Sequence, residues 1–501
     1  MFKKILVANR GEIALRVMRT CREMGIEVVA VYSEADRTAP HVLFADEAYF
    51  IGPAPSTESY LKYDNILEVA QLSKSEAIHP GYGFLSENTE FARLVTEAGM
   101  TFIGPPAQAI KTMGDKTMAR QAMLLTDVPV VPGTEEPIKD VTQALKTAQE
   151  IGFPVLVKAA GGGGGKGMRI VDSANEFADS VGKAQRESQS AFGDGRVYIE
   201  KYLEEPHHIE FQILADTHGN IIHLNERECS IQRRYQKVIE ESPSPFIDDT
   251  LRSRMGKAAV ETARTCDYVG AGTVEFLVDK HKNFYFLEMN TRLQVEHPVT
   301  EMVTGIDLVA EQINIAAGRI LSIKQDEVTV NGHAVECRIY AEDASHDFTP
   351  STGSITMLQI PDGTGTRFDG AIRQGMVITP YYDPMLGKLV CWATDRESAL
   401  NRSERALREF YIGGIETTIQ FCRSVIKHPA FRNGPYDTHF YSIYQEELHQ
   451  ALIATSDEVL LVAGGTLFKH EDDTKHKTQS NTSTQSSRSN WVTSQMRSPK
   501  L

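Results

Sequence analysis

Pro154-Val155-Leu156-Val157-Lys158-Ala159-Ala160-Gly161-Gly162-Gly163-Gly164-Gly165-Lys166-Gly167-Met168-Arg169-Ile170-Val171 is the stretch on which the fold turns. Its glycines satisfy GxGxxG from Gly162 to Gly167, but a β-branched run follows where a dinucleotide-binding fold needs an amphipathic helix. The Walker A pattern fails as well, because Gly167 follows Lys166 where Ser or Thr is required. What remains is strand, mobile glycine loop, strand. Such a hairpin can close over a polyphosphate, with backbone N–H groups as donors and Lys166 as a point charge. A flexible linker is the competing reading, although a linker has no reason to lie between two apolar strands.

Further along, Gly272-Thr273-Val274-Glu275-Phe276-Leu277-Val278 and Phe284-Tyr285-Phe286-Leu287-Glu288-Met289-Asn290 read as two strands joined by a turn at Asp279–Asn283. Glu275 and Glu288 then lie on neighbouring strands, each between apolar residues, where a carboxylate is costly unless something positive holds it. If the chain stays extended beyond Asn290, period 2 sends Glu288, Asn290, Arg292, Gln294 and Glu296 to one face. Hard oxygen ligands of this kind suit Mg2+ or Mn2+ on phosphates, whereas a zinc set of Cys and His is missing. An exposed hairpin face with an internal ion pair is the alternative.

Other stretches are less decisive alone. Arg233, Arg234 and Lys237 place three cations within five residues, an anion site or a solvated charged face. Glu336 and Arg338 alternate onto one face of the strand His333–Tyr340, where an ion pair between them is as natural as a function. At the N-terminus, Lys4–Ala8, a turn at Asn9–Glu12, a helix through Ile13, Val17, Met18, Cys21 and Met24, and Glu27–Tyr32 read as a βαβ unit of a parallel sheet. In His79-Pro80-Gly81-Tyr82-Gly83-Phe84-Leu85-Ser86-Glu87-Asn88, two glycines beside an aromatic ring let backbone approach a ligand.

The 501 residues should make about three compact units at roughly 150 residues each. Acidic residues exceed basic ones, 67 to 52, for a net charge of -15, which argues against a general nucleic-acid binder. The six cysteines show no CxxC spacing and read as buried thiols of a reducing compartment. The N-terminal apolar run is shorter than a signal-peptide core and no stretch is long enough to span a membrane, so a cytoplasmic protein is expected. From about Lys469 onward the chain is Ser, Thr, Asn, Gln and Lys with scarcely an apolar cluster, the composition of a disordered tail.

In their order and spacing, Ala8-Asn9-Arg10-Gly11-Glu12-Ile13-Ala14, the His79–Asn88 loop, the glycine flap, Glu288–Pro298 and His333-Ala334-Val335-Glu336-Cys337-Arg338 closely resemble biotin carboxylase, the ATP-grasp component of biotin-dependent carboxylases. The resemblance runs from Ile5 to about Tyr444. It implies an α/β and α+β chain: a Rossmann-like parallel-sheet domain over 1–113, an ATP-grasp domain over 114–328 with a mobile lid at about 131–203, a mixed β/α domain over 329–447, and a largely disordered tail over 448–501. It implies ATP- and bicarbonate-dependent carboxylation of biotin through carboxyphosphate.

Carried over residue by residue, Lys116 and Lys158 with Gly163, Gly164, Gly165 and Lys166 hold phosphates. Glu200, Lys201 and Leu203 line the adenine pocket, and His208 and Gln232 reach the ribose region. Glu275, Glu288 and Asn290 bind metal, two Mg2+ or Mn2+ ions. Lys237, Arg292, Gln294 and Val295 hold bicarbonate, and Glu296 is the general base, oriented with Glu210. Arg338 stabilises the biotin enolate, with Tyr82 at the biotin site. Tyr235 stands where many relatives have histidine.

No biotinyl-lysine motif occurs, so the biotin carboxyl carrier protein and the carboxyltransferase are expected on separate chains, and a homodimer is usual in the family. The final acceptor, pyruvate, acetyl-CoA or propionyl-CoA, touches none of these residues. The remaining alternatives are another ATP-grasp ligase and a non-catalytic ATP-sensing protein.

Overall fold

The computed structural model describes residues 1–134, 136–159, 168–434 and 436–452. Met1–Leu448 forms one compact unit. Residues 448–452 are helical, and the rest of the expected tail lies outside the described residues, as does the glycine run with Gly163, Gly164, Gly165 and Lys166.

The βαβ reading of the N-terminus holds. β1 (Lys4–Val7) pairs in parallel with β2 (Glu27–Ser33) and with β4 (Ala77–His79), while β3 (Glu47–Gly52) and β5 (Thr101–Phe102) close a parallel sheet ordered β3-β2-β1-β4-β5. The central β1 is apolar because both faces are covered: Ile5 and Val7 pack on one side, against α1 (Gly11–Glu23), and Leu6 on the other. Two helices, Ala107–Gly114 and Lys116–Leu124, follow Gly104-Pro105-Pro106.

The two strands flanking the glycine run belong to a small antiparallel sheet, β7 (Arg169–Val171), β6 (Val155–Ala159) and β8 (Val197–Lys201), in that order. Two helices, Val141–Ile151 and Ala174–Phe192, cover it and give it a core of its own around Val155, Val157, Phe177 and Ile199. With that separate core, the small sheet is a platform distinct from the larger one.

The larger sheet has eight strands among the described residues. β9 (His207–Ala215), β10 (Ile221–Arg233), β11 (Gln236–Ser242), β12 (Gly270–Val278), β13 (Phe284–Asn290) and β14 (His333–Tyr340) join Met385–Ala393 and Thr366–Gly370 in the order β13-β12-β9-β10-β11-β14, then Met385–Ala393, then Thr366–Gly370. Every pairing is antiparallel. Strands from the expected second and third units therefore share one sheet. A row of charge runs across it, because Glu288 pairs with Glu275, Glu275 with Glu210, and Glu210 with Arg227 in direct register.

Candidate active site

Like charges directly opposite one another destabilise a sheet, so a run of three glutamates needs cations. Two arrive from neighbouring strands. Arg227 is fully buried; its Nε donates to Glu210 Oε1, and Nη1 and Nη2 donate to Gln212 Oε1 at 2.8 Å and Thr273 Oγ1 at 3.0 Å. Lys237, at the start of β11, donates from one Nζ to Glu210 Oε2 at 2.6 Å, Glu275 Oε1 at 2.9 Å and Glu296 Oε1 at 2.8 Å. One ammonium thus ties together three carboxylates from distant stretches of the sequence.

Glu296 does not lie on an extended ribbon. β13 ends at Asn290, and 291–296 turn before the helix His297–Thr304, with Leu293 buried in the core. The polar residues still converge, because Asn290 Nδ2 and Gln294 Nε2 both donate to Glu275 Oε1, at 2.9 and 2.8 Å. Arg292 donates to Gln294 Oε1 at 3.0 Å, to Asn290 Oδ1 at 3.1 Å and to Glu87 Oε2 at 2.8 Å, so the His79–Asn88 loop reaches the site through its glutamate.

Arg338 bridges two buried carboxylates, donating from Nε to Glu240 Oε1 at 2.5 Å and from Nη2 to Glu296 Oε2 at 2.9 Å. Of the two readings of Glu336 and Arg338, the ion pair within β14 does not form. Both Glu336 carboxylate oxygens are buried without a hydrogen bond, and Glu336 pairs in register with Glu240 on β11. Carboxylates from other elements meet Arg338 more closely than its own neighbour two residues away.

Electrostatics follows from this packing. Burial alone would push the Glu296 carboxyl up, but Lys237, Arg338 and Arg227 hold it far below the usual carboxylate range. It is therefore ionised, and these cations lower its affinity for a proton. Burial dominates at Glu240 and raises it to about 7 against the opposing charge of Arg338, with Glu296 pushing in the same direction as burial. A raised carboxyl binds more protons folded than unfolded between pH 4.5 and about 7, so it makes the fold less stable as pH rises through that window. Glu240→Gln is expected to flatten that slope, measured by guanidinium unfolding at pH 5 and pH 7.5; an unchanged slope would contradict the assignment.

The remaining expected residues divide between this centre and the small sheet. His208 Nε2 lies 2.9 Å from Glu275 Oε2, and Gln232 Nε2 donates to His208 Nδ1 at 2.9 Å. Glu288 is partly exposed with Lys116 Nζ 3.5 Å away. Lys158 Nζ bonds Glu200 Oε2 at 2.5 Å on the small sheet. Lys201 turns its Nζ back to the Gly152 carbonyl at 2.9 Å, and Leu203 is half-buried beyond the end of β8. Val295 offers its carbonyl to Lys388 at 2.8 Å, and Tyr82 lies with its ring centroid 5.8 Å from the same Nζ.

Of the basic cluster only Lys237 enters the site. Arg234 pairs with exposed Asp347, and Arg233 lies 3.9 Å from the Phe348 ring centroid. Arg234 and Tyr235 both have positive φ in the two-residue turn joining β10 to β11, which leaves Tyr235 exposed. Sequence reasoning did not anticipate Glu87, Arg227, Glu240 or Lys388.

A sheet that gathers carboxylates, carboxamides and cations, beside a smaller sheet whose strands flank a glycine run, defines an ATP-dependent ligase of the ATP-grasp type. Three family models match: biotin carboxylase, N-terminal domain, over 1–110; carbamoyl-phosphate synthase L chain, ATP binding domain, over 115–324; and biotin carboxylase C-terminal domain over 336–442. The chain belongs to the biotin carboxylase family. It is 53% identical over 445 residues to biotin carboxylase 1 of Bacillus subtilis, covering 89% of this chain and 99% of that one. It is also 53% identical to a pyruvate carboxylase component of Methanothermobacter thermautotrophicus, over 89% of this chain and 90% of that one. Among solved structures, the biotin carboxylase domain dimer of Hydrogenobacter thermophilus 2-oxoglutarate carboxylase, in complex with MgADP, ADP and bicarbonate, matches with TM-score 0.84 and 48% identity, over 89% of this chain and 99% of that one.

Proposed function

We propose that this chain is the biotin carboxylase subunit of a multi-subunit carboxylase, and that the side chains meeting at Lys237 carry its chemistry. The carrying observation is that Glu296 is buried, ionised and bonded at once to Lys237 and Arg338. In this reading Lys237, Arg292, Gln294 and Val295 hold bicarbonate, and Glu296 takes its proton. The freed oxygen attacks the γ-phosphorus of ATP, the bond to ADP breaks, and carboxyphosphate forms. A bound anion offsets the cations that depress Glu296, so its proton affinity rises when a proton has to be taken. Arg338 then faces the developing charge on the ureido oxygen of biotin.

Lys116 and Lys158 with the glycine hairpin are assigned to the phosphates, Glu200, Lys201 and Leu203 to the adenine, and His208 and Gln232 to the ribose. Glu275, Glu288 and Asn290 offer hard oxygen donors that fit Mg2+ or Mn2+. His208, Glu210 and Glu275, and likewise Glu210, Cys229 and Glu296, also cluster, but Lys237 already supplies the cation between those carboxylates. An ion held there would neutralise phosphate charge during phosphoryl transfer.

We further assign three domains, 1–113, 114–328 with its lid at about 131–203, and 329–447, a partition that the three family matches support. Two chains that carry biotin and the carboxyltransferase are proposed as partners, in line with relatives of similar length named as biotin carboxylase or as one component of pyruvate carboxylase. A homodimer and a cytoplasmic setting complete the proposal. The six cysteines are free and buried, and no described helix is long and apolar enough to cross a membrane.

Arg338→Ala tests the assignment of the biotin step. It is expected to abolish the stimulation of ADP release by free biotin while bicarbonate-dependent ATP cleavage persists. Full biotin stimulation in the variant would remove Arg338 from the mechanism. The chain that co-purifies with the protein identifies the acceptor.

A further inference from the structure

Among the residues that the reaction leaves unused, the Ala8–Glu12 motif leads to a buried lysine. Asn9 Nδ2 donates to the carbonyls of Pro80 at 2.7 Å and Tyr82 at 2.8 Å. In the same turn, Glu12 is buried with its Oε2 3.4 Å from Lys388 Nζ. Burial raises the Glu12 carboxyl to about 7, with the charge of Lys388 opposing.

Lys388 has no solvent exposure and stands in the strand Met385–Ala393 directly opposite Arg338. Its Nζ donates to the Val295 carbonyl at 2.8 Å. The preceding carbonyl, that of Gln294, accepts from His297 Nδ1 at 2.8 Å. Burial, with the charge of Lys388 next, holds His297 far below its ordinary value, so the imidazole is neutral. Two successive carbonyls of the turn that ends in Glu296 are therefore each fixed by a buried side chain.

A fully buried lysine is rare because its charge must leave water. An apolar side chain would fill the same space at lower cost if packing were its task. A charge aimed at one carbonyl instead fixes the plane of the Val295–Glu296 peptide.

We propose that Lys388, held by Glu12, is a positioning residue that sets the Gln294–Glu296 turn for bicarbonate. Neither residue touches the reacting atoms; both act through Val295 and Glu296. The inference rests on the reading that this turn binds and deprotonates bicarbonate.

Lys388→Met keeps the volume and removes both charge and donor. A displacement of about 1 Å at a reacting group costs on the order of a hundredfold in rate. With that loss divided between binding and turnover, the KM for bicarbonate should rise about tenfold and kcat fall about tenfold, while the Kd for ADP stays within about twofold of wild type. Glu12→Gln should move the bicarbonate KM in the same direction by about threefold, and it decides the matter if Lys388→Met does not fold. A lowered melting temperature with unchanged bicarbonate KM and kcat would overturn the inference and leave the bicarbonate reading intact. A wild-type chain that releases no ADP in response to bicarbonate would overturn that reading, and this inference with it.

Discussion

Glu296→Gln is expected to lower bicarbonate-dependent ADP formation by about 10²–10⁴-fold, the range a positioned general base contributes, while the Kd for ADP changes by no more than about twofold. The glutamine keeps the shape of the side chain and an oxygen for Lys237, but it cannot take a proton. Its amide nitrogen also meets Arg338 Nη2, which now bonds Glu296 Oε2 at 2.9 Å. Because the Glu296 charge helps to raise Glu240, its removal should let the Glu240 carboxyl ionise at lower pH. Steady-state rates over a range of bicarbonate concentrations, with nucleotide binding by calorimetry, measure both parts. Retention of wild-type turnover would mean that another group is the base.

Lys237→Met is expected to cost more in stability than any other single change in the site. It leaves Glu210, Glu275 and Glu296 converging without their shared ammonium, with Glu210 and Glu296 fully buried. Removing one partner of a buried ion pair costs about 3–5 kcal/mol, because the remaining charge stays desolvated. Arg227 still balances Glu210 and Arg338 still bonds Glu296, so the loss should fall chiefly on Glu275. Guanidinium unfolding at pH 7.5 reads the loss directly. The same variant is expected to be inactive, whereas a Lys237→Met chain as stable as wild type would show that the three carboxylates are neutralised in another way.

Much of this site was legible in the sequence because its chemistry sits in short motifs. Glu275 and Glu288 could be placed on adjacent strands from the Asp279–Asn283 turn alone, and they pair in direct register. The period-2 argument for 290–296 named residues that do converge, but for a reason that holds only as far as Asn290. Beyond it, Gln294 and Glu296 reach the site through a turn that buries Leu293 and leads into a helix.

What stayed hidden was cross-strand partnership. Glu240 is one acidic residue among several near Arg233 and Arg234, and nothing local marks it as the partner of Arg338. Lys388 sits in a strand whose other residues are mostly apolar, and its meaning depends on Val295 and Glu12, each brought in from a distant part of the chain. Glu87 lies in a loop whose conspicuous residues are its glycines, yet it is Glu87 that holds Arg292. Opposite-charge partners are chosen by register and sheet order, and an eight-stranded sheet ordered β13-β12-β9-β10-β11-β14 is not readable from spacing.

A chain that only sensed ATP would have no use for Arg338 and Lys237 gripping the two oxygens of one buried carboxylate. The most direct test of the central claim is therefore transfer of labelled carbon. Purified protein given ATP, Mg2+, ¹³C-bicarbonate and free biotin is predicted to form N-carboxybiotin carrying the label, in step with the ADP release that biotin stimulates, with neither product when bicarbonate is withheld. Release of ADP with no label on biotin, in a chain that binds both nucleotide and bicarbonate, would contradict it.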